Sequence, residues 1–303
     1  MNPAAISAAT LGHAYGDVVA LHHLDLDVPP GPIGLVGANG AGKTTLIKIL
    51  LGILTPTTGS VQVLGVDPAE DLITVRSRIG YMPEGECLPK DQTAADFVSY
   101  AAELAGVPPH ESRQRASDIL TMVGLHEERF RYFGDFSTGM KQRAMLAQAI
   151  VHDPEMVFLD EPTAGLDPAG REEMLELIGR LGGFGINVLV SSHVLPDIER
   201  TCDWVVMLDG GQVLRSGPLT GLTETGVVEL EVVAGIEQVA AELRRMGAEV
   251  DAIGEVLTIT SSPGDPFLAA RDALATTGVA LRRLGARATT LEDIFLGEAP
   301  GDE

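Results

Sequence analysis

The octapeptide Gly37-Ala38-Asn39-Gly40-Ala41-Gly42-Lys43-Thr44 fits the pattern G-x-x-x-x-G-K-[ST], a strong local constraint on how a chain can fold. Its glycines allow backbone N–H groups to close around phosphate oxygens, Lys43 reaches the terminal phosphates, and Thr44 offers a hydroxyl to Mg²⁺. The flanks carry the matching elements. Ile33 to Val36 is an apolar, β-prone run that predicts a buried strand, and Lys43 to Leu51 reads as a helix opening at the loop. A strand, a glycine turn and a helix N-terminus bring free N–H groups and the positive end of a helix dipole to one point, where an anion is favoured. These eight residues, with Thr45 behind them, are expected to bind the phosphates of a nucleotide.

The second constraint lies far downstream, where the apolar run Met156-Val157-Phe158-Leu159 ends on Asp160-Glu161. Asp160 is expected in the Mg²⁺ shell. Glu161, one residue on, is placed to orient and deprotonate a water that attacks the γ-phosphate. Together the two segments describe a nucleotide hydrolase.

Phe136-Ser137-Thr138-Gly139-Met140-Lys141-Gln142-Arg143 resembles the signature motif that distinguishes ATP-binding cassette (ABC) proteins from other P-loop proteins. Thr138 stands where the commonest form has glycine, and Met140 where it has glutamine; both substitutions resemble the drug- and antibiotic-export branch. Ser137 and Gly139 remain, and a small hydroxyl residue at a helix start beside a glycine can bind phosphate through side chain and N–H groups. Read without the resemblance, Ser137 is a plain N-cap.

Four further segments match the family in order and spacing. Tyr15 stands where the family has an aromatic that stacks on adenine. Ile79-Gly80-Tyr81-Met82-Pro83-Glu84 resembles the loop that carries a glutamine toward Mg²⁺ and the attacking water; here the residue is Glu84, a better ligand for a hard cation than an amide. Ala164-Gly165-Leu166-Asp167 resembles the loop coupling the two sites of a dimer, so Asp167 is expected near nucleotide. Ser191-Ser192-His193 ends a predicted strand, and the resemblance implies that His193 contacts the γ-phosphate. The resemblance spans roughly residues 5 to 220.

The chain has 303 residues and 45% hydrophobic content, enough for two domains. It has no run of 18 or more apolar residues, so it is not expected to insert in a membrane, and no basic segment followed by an apolar core suggests a secretion signal. Two cysteines, Cys87 and Cys202, offer no disulfide framework and suit a reducing cytoplasm. The net charge is −22, from 43 acidic and 21 basic residues without a basic cluster. Nucleic acid is therefore an unfavourable partner, as is a bare anionic lipid surface.

Along the chain, Ala5 to Leu11 and Val18 to Val28 read as an antiparallel β edge. Residues of about 85–150 read as a helical insertion, with helical spacing over Thr93 to Leu104 and Arg115 to Val123 and a helix from about Met140 to Ile150. Strands near Met156–Leu159, Asn187–Val190 and Val205–Leu208 alternate with helices, which predicts a doubly wound, mainly parallel α/β core with Trp204 packed in it. The first domain is expected over 1–220. Over 221–303 the order becomes β-α-β-β-α-β: a strand near Val228, a helix from Ile236 to Met246 closed by Gly247, strands near Glu249–Ile253 and Val256–Thr260, a helix from Asp265-Pro266 to Thr277, and a strand near Val279–Leu284. That pattern predicts a small α+β, ferredoxin-like domain. Thr290 to Phe295 resembles a short terminal helix common in export-type ATPases.

The resemblance implies an ATP- and Mg²⁺-dependent ATPase that energises a separate transmembrane permease. Two such subunits, a homodimer by expectation, would sandwich nucleotide head to tail at the cytoplasmic face of the membrane. Two rival classes compete with an exporter. Ribosome- or chromosome-associated members carry two cassettes or long coiled coils, and neither pattern is present. An importer ATPase with a ligand-sensing tail is the other, since one importer group also carries a ferredoxin-like C-terminal domain.

Overall fold

The computed structural model describes residues 4–85, 87–220, 224–288 and 291–292. The chain divides into two compact units, Met1–Pro218 and Leu219–Glu303.

In the first unit, β1 (Ile6–Tyr15), β2 (Val18–Val28) and β4 (Thr58–Val63) form an antiparallel sheet in the order β2-β1-β4. A six-stranded sheet holds β3 (Pro32–Val36), β5 (Ile79–Met82), β6 (Met156–Asp160), β7 (Asn187–Ser192), β8 (Trp204–Asp209) and β9 (Gln212–Pro218) in the order β5-β6-β7-β3-β8-β9. Its pairings are parallel except β8 with β9. The inner strands explain themselves: all five residues of β6 are buried, as are five of the six in β7, the near-continuous apolar run of a strand covered on both faces.

The helices of this unit are α1 (Lys43–Leu50), α2 (Leu72–Arg78), α3 (Ala94–Leu104), α4 (Pro109–Met122), α5 (Thr138–Ile150), α6 (Pro168–Gly183) and α7 (Leu195–Thr201). One apolar core joins the antiparallel sheet to the parallel one through α1, with Leu11, Leu24, Ile33, Leu46, Ile47 and Phe158 buried in it. Trp204 packs against that core half-buried, not inside it, and its indole N–H donates to Ser216 Oγ at 3.2 Å.

Several boundaries differ from the sequence reading for physical reasons. Strand β1 continues past Leu11 to Tyr15, through register shifts between Ala8 and Ala14 that break the two-residue alternation. Helix α4 begins at Pro109 and not Arg115, because its first turn is polar and only the fixed φ of proline announces it. Strand β5 occupies what reads as loop, and β4, α2 and β9 have no counterpart in the reading: β5 and α2 are only four and seven residues long, while β4 and β9 are largely exposed.

The second unit contains β10 (Glu224–Val232), α8 (Ile236–Arg245), β11 (Glu249–Ile253), β12 (Val256–Ser261), α9 (Pro266–Thr277) and β13 (Leu281–Ala288). Its antiparallel sheet has the order β11-β12-β10-β13. The first and third strands are central, which is the split β-α-β arrangement of a ferredoxin-like unit. Val228, Leu230, Val239, Leu243, Leu257 and Ile259 close its own core. Of the short helix read over 290–295, Leu291 and Glu292 are helical and the rest lies outside the described residues.

Candidate active site

The parallel strands β3, β6 and β7 end on one edge of the sheet, so the loops that follow them converge there. After β3 the chain passes through Gly37–Gly42 into α1. Gly42 has φ 102°, and a Cβ there would stand 2.6 Å from Leu21 Cδ2 and 2.9 Å from Ala20 O. Only glycine makes that turn without strain or clash. No side chain caps the first turn of α1, so its N–H groups remain for an anion. Lys43 is 7% exposed and donates to Gly37 O at 2.6 Å and Ala38 O at 3.2 Å. Both partners are neutral carbonyls, which hold the ammonium over the loop without cancelling its charge.

Asp160 closes β6 and is 3% exposed. Burial pushes its carboxyl pKa up, Glu84 and Glu161 push it the same way, and Ser191 and Lys43 oppose them. Glu161 leaves the strand in the left-handed region, φ 51°, which costs a non-glycine residue about 1–3 kcal/mol. Its amide N–H donates to Ser191 O on β7 at 2.9 Å, and its Oε2 lies 2.9 Å from His193 Nδ1. The carboxylate is thereby turned out of the strand and into the convergence of the three loops.

Lys43, Thr44, Thr45, Glu84, Asp160, Glu161 and His193 line one cleft of about 260 Å³ with Ala38, Asn39, Gly40 and Gly42. That falls below the roughly 300–1,000 Å³ of whole small-molecule pockets and suits the phosphate end of a nucleotide. Gly37 and Ala41 support it from beneath: Ala41 is buried, and a Cβ on Gly37 would stand 2.4 Å from Leu208 O. Tyr15 ends β1 outside the cleft, 47% exposed, with the His13 ring edge-on at 4.7 Å.

Ser137, Gly139 and Asp167 do not join that cleft. They line a second one, of about 430 Å³. Ser137 caps α5 by accepting from Met140 N at 3.3 Å, and Asp167 caps α6 by accepting from Gly170 N at 3.1 Å. The nucleotide residues read from the sequence thus form two separate surfaces of one chain.

The hydroxyl of Thr44 and the carboxylates of Glu84 and Asp160 are hard oxygen donors, the chemistry Mg²⁺ selects. Among the described residues no three His, Cys, Asp or Glu side chains converge as a metal cage.

One neighbouring network has no counterpart in the sequence reading. Asp197 on α7, 2% exposed, accepts from Thr163 Oγ1 at 2.8 Å and from Arg171 Nε at 2.8 Å and Nη2 at 2.7 Å. Thr163 and Asp197 are 34 residues apart in the chain, so no local pattern pairs them.

A glycine turn opening a helix, a buried lysine over it, and carboxylates at the ends of neighbouring parallel strands define a P-loop nucleoside-triphosphatase. Residues 21–164 match the family described as ABC transporter. The chain is 38% identical over 208 residues to YxlF, an uncharacterized ABC transporter ATP-binding protein of Bacillus subtilis, an alignment covering 68% of each. It is 33% identical over 292 residues to the daunorubicin resistance ATP-binding protein DrrA3 of Streptomyces coeruleorubidus, covering 93% of this chain and 92% of that one. A solved ATP-binding subunit of an ABC transporter superposes with a TM-score of 0.65 at 30% identity, covering 72% of this chain and 91% of that subunit. The chain belongs to the ATP-binding subunits of the ABC transporter family and is an ATPase by that membership. Among the described residues no helix is long and apolar enough to cross a membrane.

Proposed function

We propose that this chain is the energy-coupling ATPase of an ABC exporter and binds Mg-ATP between two copies arranged head to tail. The observation that supports the dimer is that Ser137, Gly139 and Asp167 line a different cleft from Lys43, so that a second ATPase subunit set head to tail would bring them to the phosphates. Lys43 and the loop amides bind the phosphates, Tyr15 takes the base, and Thr44, Asp160 and Glu84 hold Mg²⁺. Held by these residues, Mg²⁺ would supply charge neutralisation at the phosphates. Glu161 orients the attacking water and accepts its proton, while His193, fixed against Glu161 Oε2, is placed to contact the γ-phosphate. ATP touching both copies stabilises only the closed pair, and hydrolysis releases it.

The helical insertion supplies a surface for the permease. Tyr100 and Phe130 are 57% and 69% exposed beside a groove of about 600 Å³ that Arg113 and Glu103 also line. Exposed aromatics around a partly polar groove suit a short helix of a membrane partner. Export rests on Thr138 and Met140 in the signature segment, on Glu84, and on the end-to-end alignment with the daunorubicin resistance protein.

The test of the dimer uses Glu161→Gln, which keeps size and polar contacts but cannot accept a proton. With ATP and Mg²⁺ it is expected to sediment as a dimer, and adding Ser137→Arg is expected to abolish the shift. A Glu161→Gln protein that turns over at the wild-type rate sinks the general-base role; one that is inactive yet monomeric at saturating ATP sinks self-closure of this chain. Direction is read from transport into or out of vesicles carrying the chain with its permease.

A further inference from the structure

The buried carboxylate of Asp197 joins the two segments that carry Glu161 and His193. Thr163 lies two residues beyond Glu161, and Asp197 four residues beyond His193. Thr163 Oγ1 donates to Asp197 Oδ2 at 2.8 Å, and Glu161 Oε2 meets His193 Nδ1 at 2.9 Å. The contacts close a ring, Glu161–Thr163–Asp197–His193, in which two are through the backbone and two through side chains. Arg171 on α6 holds Asp197 Oδ1 with both Nε and Nη2, so the carboxylate is paired and cannot rotate away from Thr163 without losing a two-point contact. The Arg171 backbone amide donates to Asp167 O at 2.9 Å, the helix-opening bond that places Arg171 in the first turn of α6.

Glu161 needs such a restraint. Its left-handed backbone is a conformation the chain leaves unless its surroundings hold it, and one side of it is already fixed by the bond from its amide to Ser191 O. On the other side Ala164 N donates to Glu161 O at 3.1 Å, Ala164 O accepts from Gln142 Nε2 at 3.4 Å, and Thr163, buried with 8% exposure, bonds the turn to α7 through its hydroxyl. We propose that Thr163 and Asp197, braced by Arg171, are positioning residues for hydrolysis: they set the distance between Glu161 and His193 and do not themselves touch substrate. This inference rests on the reading of Glu161 as the proton acceptor.

The test compares Thr163→Val, Thr163→Ser, Asp197→Asn and Glu161→Gln in the full chain, with ATP turnover, ATP KM and thermal midpoint measured for each. Valine keeps the shape of threonine and removes only the donor, while serine keeps the donor. A displacement of about 1 Å at a reacting group can cost on the order of 100-fold in rate, so Thr163→Val is expected to lower kcat roughly tenfold or more with KM within about twofold. Thr163→Ser should restore kcat, and Thr163→Val combined with Asp197→Asn should cost little more than Asp197→Asn alone. Wild-type kcat in Thr163→Val, a change confined to the thermal midpoint, or fully additive losses in the double variant would each overturn the proposal. If Glu161→Gln is inactive while both Thr163→Val and Asp197→Asn turn over normally, the positioning role alone fails. If Glu161→Gln is itself active, the proton-acceptor reading fails with it.

Discussion

Glu161 Oε2 and His193 Nδ1 stand 2.9 Å apart, although 32 residues separate them in the chain. The contact joins the ends of β6 and β7, neighbouring parallel strands, and commits one carboxylate oxygen to the imidazole. With Nδ1–H as donor, the neutral ring keeps Nε2 as an acceptor, and a protonated ring offers a second N–H. His193 has a side chain 60% exposed and Glu161 one of 10%, so the histidine is open to a ligand while the glutamate is enclosed.

Lys43→Ala is expected to weaken ATP binding by roughly 100-fold, since a hydrogen bond to a charged group contributes about 1.5–3 kcal/mol. The ammonium is held by two carbonyls already aimed over the loop, and the truncated side chain leaves them unbonded. Nucleotide titration of the variant checks this; wild-type affinity would contradict the phosphate site.

Glu84→Gln should retain ATP turnover within about threefold, because the amide oxygen can still reach metal or water. Removing this exposed carboxylate also removes one of the charges that push the Asp160 carboxyl up. Turnover and transport are to be assayed separately, and a loss of several orders of magnitude in turnover would assign Glu84 a chemical step of its own.

His152 adds a pH dependence to stability. Burial lowers its pKa from the ordinary 6.5, outweighing the contact between Nε2 and Ile79 O at 3.0 Å. The unfolded chain then takes up the proton more readily than the folded one. The contribution is present above the ordinary pKa and is lost as pH falls through the lowered one. Urea midpoints between about pH 7.5 and 5 should fall less steeply for His152→Gln than for the wild type. An identical slope would show that His152 titrates equally in both states.

A chain ended after Thr220 should still bind ATP. Every residue lining the phosphate cleft lies between Ala20 and His193, and β9, the edge strand paired with β8, is complete at Pro218. The second unit closes its own core, so its removal takes no buried residue from the cluster beneath the site. Calorimetric titration with ATP tests this, and loss of binding by a folded truncated chain would place part of the site in the second unit.

The phosphate loop was legible because its chemistry is local. Three glycines act through backbone geometry, and a lysine and a threonine through their side chains, all within eight residues, and the strand and helix around them differ in period. The second unit was legible for a similar reason. Its first strand alternates over Val228–Val232, and Gly247 and Gly278, both at positive φ, follow the helices as their spacing implies. Strands β4, β5 and β9 and helix α2 were not, because short or largely exposed elements carry too little burial to imprint a pattern.

By itself the sequence determined the kind of chemistry: a glycine loop for phosphates, oxygen donors for a hard cation, and a carboxylate one residue past a buried strand. Only the tertiary structure decided which of these residues meet. It brings Lys43, Glu84, Asp160, Glu161 and His193 to one cleft and leaves Ser137, Gly139 and Asp167 in another. It also pairs Thr163 with Asp197. The reason is physical: strand order in a parallel sheet is set by crossover connections and by burial of both faces, not by nearness along the chain. Residues at the ends of β3, β6 and β7 become neighbours only once that order is made.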